Sequence, residues 1–524
     1  GPGLPGDYTL AGYVVAYSNP ETYATFWNTL WLGAVRTIIA LALAVFFAWV
    51  VTRTDTPWRR GLEVTVWLQF FLPSQPMVMA WILLLAPRTG ILNQFFVSVF
   101  DLSKGPIDIF SYYGIIWVSS IHWASVIFLL ITPAFRGMDA ALEESSRMAG
   151  ANTRSTVLRI TLPVLAPAIL GATMLVFVKI MESFEVELFL GYSRGIYVFT
   201  TKIYDLIAHF PTDFPQAMAL TTVFLVMVFG IIALQWRLLK GRQFVTVTGR
   251  GFAVRPTRLG RWRWVTFGAV LLYFLLGTLL PVTILGMGTF MKLFGLFVEE
   301  PFTTQNWARV FADSEFWGTL GNTLVVGIGA ASLGMILYSV ISYVVVKSRF
   351  PGRRALDFIS WLPWGVPGLV MALGFLWAYA GGIKLPFVLY GTIYLLILVF
   401  IVKGLPLGVR VMNGAMVQLG NELEESSRVL GASWSHTFRR IIAPLLTPSF
   451  ISAWLLLFSL SVRDVVTVVL LYSPKSRVLS VAMLGHWLGG QPEVAMVIGL
   501  ITTVILLAFA LVARWLGAKQ EVSA

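Results

Sequence analysis

The feature that most constrains this chain is a series of separate apolar runs about twenty residues long, because a helix of that length crosses roughly 30 Å of hydrocarbon. Strands of a membrane barrel would read as short alternating segments instead. The runs predict helices near 29–51, 65–86, 113–135, 166–190 and 215–238, then 264–290, 319–346, 357–380, 389–411, 447–472 and 494–515. The expected fold is an all-α polytopic membrane protein of about eleven spans. Composition agrees. Of 524 residues, 57% are apolar and only 12% charged, whereas soluble domains approach about a quarter charged.

The net charge of +13 reflects orientation in the bilayer, not nucleic-acid binding, because Lys and Arg cluster in short loops beside the apolar runs. Arg53, Arg59 and Arg60 mark one inside loop, and Arg136, Arg147, Arg154 and Arg159 another, while the loop between them, 87–112, has only Arg88 and Lys104. The stretch 239–263 carries Lys240, Arg242, Arg250, Arg255, Arg258, Arg261 and Arg263. It is expected to be a cytoplasmic linker between a first half, 1–238, and a second half, 264–524. The chain has no cysteine, which excludes disulfides and thiolate metal sites, and its four histidines (His122, His209, His436, His486) lie too far apart in sequence to show ligand spacing.

The two halves repeat. Glu-Glu-Ser-Ser-Arg at 143–147 recurs at 424–428, Gly150-Ala151 recurs as Gly431-Ala432, and Pro163 and Pro167 recur as Pro444 and Pro448, all at a constant offset of 281. Asn28-Thr29-Leu30, Pro57, Arg59 and Arg60 recur at an offset of 294, as Asn322-Thr323-Leu324, Pro351, Arg353 and Arg354. Six predicted spans separate the two Glu-Glu-Ser-Ser-Arg loops. An even number returns both loops to one face, so the halves are expected to be parallel repeats of a six-helix type. The offset of 294 aligns residue 1 with residue 295, beyond helix 264–290, which leads us to expect that the first half lacks its matching opening helix.

Each repeated loop, 139–163 and 420–444, encodes two short helices. Asp139 is placed to cap the first, acids follow in its opening turns, and Gly150 can adopt the left-handed conformation that ends it. Asn152 then caps a second helix, expected to stop at Pro163. In the other copy Asn421 and Glu424 form an N-x-x-E capping pattern, Gly431 ends the helix and Ser433 caps the next. A capped helix with small residues on one side (Ser145, Ser146, Ala149; Ser426, Ser427) suits insertion into a groove of another protein. A helix lying on lipid headgroups would need a stronger apolar face and fewer acids.

With these residues in hand, the chain resembles the permease subunits of binding-protein-dependent ABC importers. Glu144 to Gly150, nine residues, then Ile160-Thr-Leu162-Pro163 is similar to that family's signature of E-A-A, three residues, G, nine residues and I-x-L-P, with Ser-Ser replacing Ala-Ala. The second copy, Glu425 to Gly431 and Ile441-Ile-Ala443-Pro444, departs further only by Ala for Leu. The resemblance implies that these are coupling helices, which gives Glu143, Glu144, Arg147, Gly150, Glu424, Glu425, Arg428 and Gly431 an ATPase-coupling role. No G-x-x-x-x-G-K-[ST] segment is present, so the chain is not expected to be an enzyme or to bind a cofactor. ATP and Mg would sit on two copies of a separate cytoplasmic ATPase, and a periplasmic binding protein would deliver the solute at the bacterial inner membrane.

Charge inside a span is costly and therefore points to function. Lys179, Glu182, Glu185 and Glu187 lie about 18 to 30 Å along the span that starts near Pro167. The repeat partner of that span holds Arg463 and Asp464, and the offset of 281 sets Arg463 opposite Glu182. Lys179, Glu182, Glu185, Arg463 and Asp464 are thus candidates for a translocation path or gate. Alternatively, Lys179 and Glu182 pair on their own helix. Segments 195–205 and 469–474 resemble the ferric-iron branch of the family, with thiamine, phosphonates, polyamines and sugar phosphates as alternative cargoes. A secondary transporter would leave the duplicated loops unexplained.

Overall fold

The computed structural model describes residues 9–239, 256–382, 388–420 and 422–523. Lys240, Arg242, Arg250 and Arg255 of the expected linker, and the capping residue Asn421, fall outside them. Among the described residues the elements are helices, and the only β contacts are two isolated bridges, Thr54 with Thr257 and Met291 with Phe302. A helix satisfies its own backbone polar groups, which lipid cannot do. By length and composition, nine of the described helices could cross a membrane, or eleven if each of two bent pairs is one span. The chain is a multi-pass membrane protein.

The bent pairs correct two predicted spans. In place of single helices near 65–86 and 357–380, Arg59–Phe71 and Ser74–Leu85 meet at 98°, and Arg353–Gly365 and Gly368–Ala380 at 107°. Pro73 and Pro367, which occupy matching positions of the two repeats, cause both breaks. Proline lacks an N–H and pushes the preceding residue out of the helical region, and Leu72 (ψ 126°) and Val366 (ψ 113°) are accordingly extended.

The predicted spans 166–190 and 447–472 also end early, at Met181 and Arg463. A short helix, Glu185–Leu190, follows the first and a run of turns the second. The carbonyls that would continue each helix are diverted, that of Ser183 to the Thr200 hydroxyl and that of Asp464 to the Ser480 hydroxyl. Asp464 also accepts a hydrogen bond from the Thr467 amide at 2.8 Å, a local bond that competes with the helix.

Pro163 does not stop its helix as expected. Thr153–Met181 runs on as one span, with a π-helical turn at Val157–Thr161 just before the proline, and Phe438–Ile442 does the same before Pro444. The wider turn absorbs the missing donor without ending the helix.

The described residues form two compact units that divide between Thr303 and Thr304. In the first, helix Pro20–Arg53 packs along Tyr112–Gly137, and its small residues Ala40, Ala44 and Ala48 are buried. Helix Trp262–Thr289, which the repeat assigns to the second half, also packs in this unit. Its Tyr273 hydroxyl donates to the Ile121 carbonyl at 2.8 Å, and its Thr278 hydroxyl to Gln69 at 2.7 Å. Compact unit and sequence repeat therefore differ by this helix. In the second unit, helix Ser314–Lys347 crosses Ile393–Gln418 so closely that a Cβ at Gly408 would lie 2.0 Å from the Tyr338 ring.

The repeated Asn-Thr pair has the same role in both units. Asn28 and Asn322 donate to the carbonyls of Tyr197 and Arg477, at 3.1 and 3.0 Å. The Thr29 and Thr323 hydroxyls accept from the amides of Phe199 and Leu479, at 3.0 and 2.8 Å. Each pair pins the loop entering helix Phe199–Ala208 or Leu479–Leu488 to the opening turns of a long helix.

Candidate functional site

The repeated loops are built alike. Asp139 accepts from the Ala141 amide at 2.9 Å, Asn152 from Ser155 at 2.8 Å and Ser433 from His436 at 3.4 Å, which places three of the expected caps. Gly150 (φ +83°) and Gly431 (φ +79°) close the first helix of each copy, with Gly150 and Gly431 amides bonded to Arg147 and Arg428 carbonyls. Only glycine adopts this conformation without strain. A cross-brace then folds the second short helix onto the first: Ser146 to Thr156 at 3.0 Å, and Ser427 to Thr437 at 2.7 Å.

A long helix holds each loop from beneath, through cations at matching positions of the two repeats. The Arg53 guanidinium donates to the carbonyls of Phe135 and Met138, and the Lys347 ammonium to the carbonyl of Leu419 at 2.6 Å. Met138 and Leu419 are themselves repeat equivalents, at the same offset as the glycine stops. Neither Arg53 nor Lys347 was assigned this role from sequence, although their place at the end of an apolar run beside each motif was a usable signal.

The two acids of each motif divide. Glu143 and Glu424 are buried. Glu143 accepts from Thr161 at 2.7 Å. Glu424 accepts from the Tyr343 hydroxyl at 3.3 Å and pairs with Arg428 at 3.5 Å, beside an aromatic cluster of Tyr343, Trp434 and Phe438. Glu425 is exposed and Glu144 half-exposed. The small-residue face expected from sequence is corrected in part. Ser146 and Ser427 turn inward to their braces, while Met148, Val429 and Leu430, each 86% exposed, put apolar tips outward.

Among the intramembrane charges, Lys179 and Glu182 pair with each other at 3.0 Å, as the local alternative required. Asp464 pairs with Lys403, which also donates to Thr467 at 2.7 Å. Gly368, first residue after the second helix break, lies against this group, since a Cβ there would be 3.0 Å from the Lys403 ammonium. Glu187 forms a fully buried pair with Arg36 and accepts from Ser183 at 2.6 Å. Helix Glu185–Leu190 packs against Ser74–Leu85, the helix after the first break. Glu185 and Arg463 lie partly buried at these same segment ends. Sequence reasoning missed Arg36 and Lys403. Both sit within predicted spans, and extending the intramembrane-charge criterion to every span would have found them.

Residues 331–521 match the family model described as the binding-protein-dependent transport system inner membrane component. By this match the second half of the chain belongs to the binding-protein-dependent transport permeases. This permease is 26% identical to the ferric transport system permease protein FbpB of Actinobacillus pleuropneumoniae, over 92% of this chain and 70% of that one. It is also 26% identical to the putative ferric transport system permease protein FbpB 1 of Haemophilus influenzae, over 86% of this chain and 70% of the relative. Among solved structures, a bacterial ABC transporter involved in alginate import is 18% identical with a TM-score of 0.42, covering 49% of the permease and 96% of that chain. Among the described residues, no three His, Cys, Asp or Glu side chains group as a metal site.

Proposed function

We propose that the permease forms the pore of a bacterial inner-membrane importer for ferric iron, loaded by a periplasmic binding protein and driven by two copies of a separate cytoplasmic ATPase that binds ATP and Mg. The supporting observation is the matched construction of the two coupling loops: the same brace, glycine stop and long-helix anchor present Glu144 with Met148, and Glu425 with Leu430, toward a partner. Rigid, duplicated presentation suits two motor subunits whose closing and opening rock the halves. The ferric cargo rests on the names of the relatives. In this reading Lys179, Glu182, Glu185, Arg463 and Asp464, joined by Lys403, line or gate the path where broken helices meet charged segments.

Reconstitution tests the reading. Proteoliposomes containing the permease, its ATPase and its binding protein should take up ferric iron only with ATP, and Glu425→Ala should lower uptake per ATP hydrolysed. Uptake without the ATPase, or ATP-driven uptake of thiamine, a phosphonate, a polyamine or a sugar phosphate in place of iron, would refute the corresponding part.

A further inference from the structure

Helix Pro20–Arg53 is about 50 Å long at 1.5 Å per residue. Arg53, at one end, anchors the first coupling loop. At the other end Glu21 pairs with Lys202 at 2.8 Å. Lys202 lies on helix Phe199–Ala208, so the loop around that helix sits at the face opposite the coupling loop. On the positive-inside pattern this is the outer face, where a delivered solute first meets the chain.

Three donor atoms of different chemistry converge there. The Tyr192 hydroxyl donates to Asp205 Oδ1, His209 Nδ1 lies 3.1 Å from the same oxygen, and the Tyr192 hydroxyl lies 3.4 Å from His209 Nδ1. An octahedral ion with ligands at about 2.0–2.1 Å has neighbouring donors about 2.9 Å apart, so the three atoms are spaced to cap one face of such an ion. The nearby cations have their own carboxylates. Lys202 is held by Glu21 and approaches only the other oxygen of Asp205, at 3.9 Å, and Arg194 is held by Asp108 at 3.0 Å. The His209 side chain is 60% exposed, which leaves the site open to solvent.

We infer that Tyr192, Asp205 and His209 form an outer acceptor site for a hard trivalent cation, receiving ferric iron before it enters the path. The inference deepens the ferric reading above and rests on it. Phenolate and carboxylate oxygens suit a hard cation and imidazole suits iron, and three protein donors leave the remaining positions for water or the ligands of a delivering protein. On binding, the Tyr192 hydroxyl proton passes to solvent and its oxygen takes the metal in place of the hydrogen bond to Asp205.

The test is optical. Ferric nitrilotriacetate titrated into the detergent-purified permease should produce a phenolate-to-iron charge-transfer band in the visible, saturating at one iron per chain. Tyr192→Phe should abolish the band. The exposed His209→Gln, which leaves the fold unburdened, should weaken binding by at least about tenfold. A wild-type protein without the band, or a Tyr192→Phe variant that keeps it, overturns the inference and leaves the trio as a hydrogen-bonded loop clasp. Uptake into proteoliposomes separates the two readings: iron import without the band removes only this site, whereas ATP-driven import of another solute and not of iron removes the cargo assignment and this site with it.

Discussion

Arg36 shows what a single residue can cost in this environment. An arginine at the middle of a membrane helix is unfavourable by about 2.5–3.5 kcal/mol or more, yet here it is almost wholly buried, bonded to Glu187, Ser119 and the carbonyl of Leu32. Removing one member of a buried pair strands the other charge, which typically costs about 3–5 kcal/mol. Arg36→Met and Glu187→Leu should therefore each destabilise the protein by that amount in mixed-micelle unfolding, and the double variant should regain most of it. Single variants as stable as wild type would show that the pair does not hold helix Glu185–Leu190 in place. The partners are 151 residues apart. Sequence marks Glu187 as a charge within a span, but only the fold says which cation meets it.

Among the elements, the short helices of the repeated loops are the most legible in the sequence, because caps, glycine stops and acid-rich first turns act within a few residues of one another. Their anchors are less so. The glycine stop gives a direct test: the Cβ of Gly431→Ala would meet nothing within 4 Å, so its penalty is purely conformational, about 1 kcal/mol. Amide exchange across residues 427–432 should rise about fivefold, while helix Ala443–Arg463 keeps its protection. Equal loosening of both segments would mean that the loop and the membrane helix unfold as one body. The π turns before Pro163 and Pro444 are hidden in the sequence because proline alone reads as a stop. Whether a helix ends there or widens depends on the neighbours that hold its far side.

For the whole molecule, the even span count between the repeated loops predicts that both face the same compartment. The chain contains no cysteine, so single introduced cysteines report cleanly. Met148→Cys and Leu430→Cys should react with an impermeant maleimide only from the cytoplasmic side and Phe210→Cys only from the opposite side, all three positions being highly exposed. Labelling of Met148→Cys and Leu430→Cys from opposite sides would refute the parallel repeat. The sequence by itself determined that this is a helical membrane protein, roughly where most of its spans fall, that it is internally duplicated, and that Asp139, Asn152 and Ser433 cap short helices in its repeated loops. Those properties depend on apolar length and on contacts within a few residues, which remain visible along a linear chain. Tertiary structure alone decided that helix Trp262–Thr289 packs in the first unit, and that Arg36 meets Glu187, Lys403 meets Asp464, and Tyr192 meets Asp205 and His209. The long-range pairings among these link side chains on different segments, and which of several chemically suitable partners lies within about 3 Å is settled by how the helices pack.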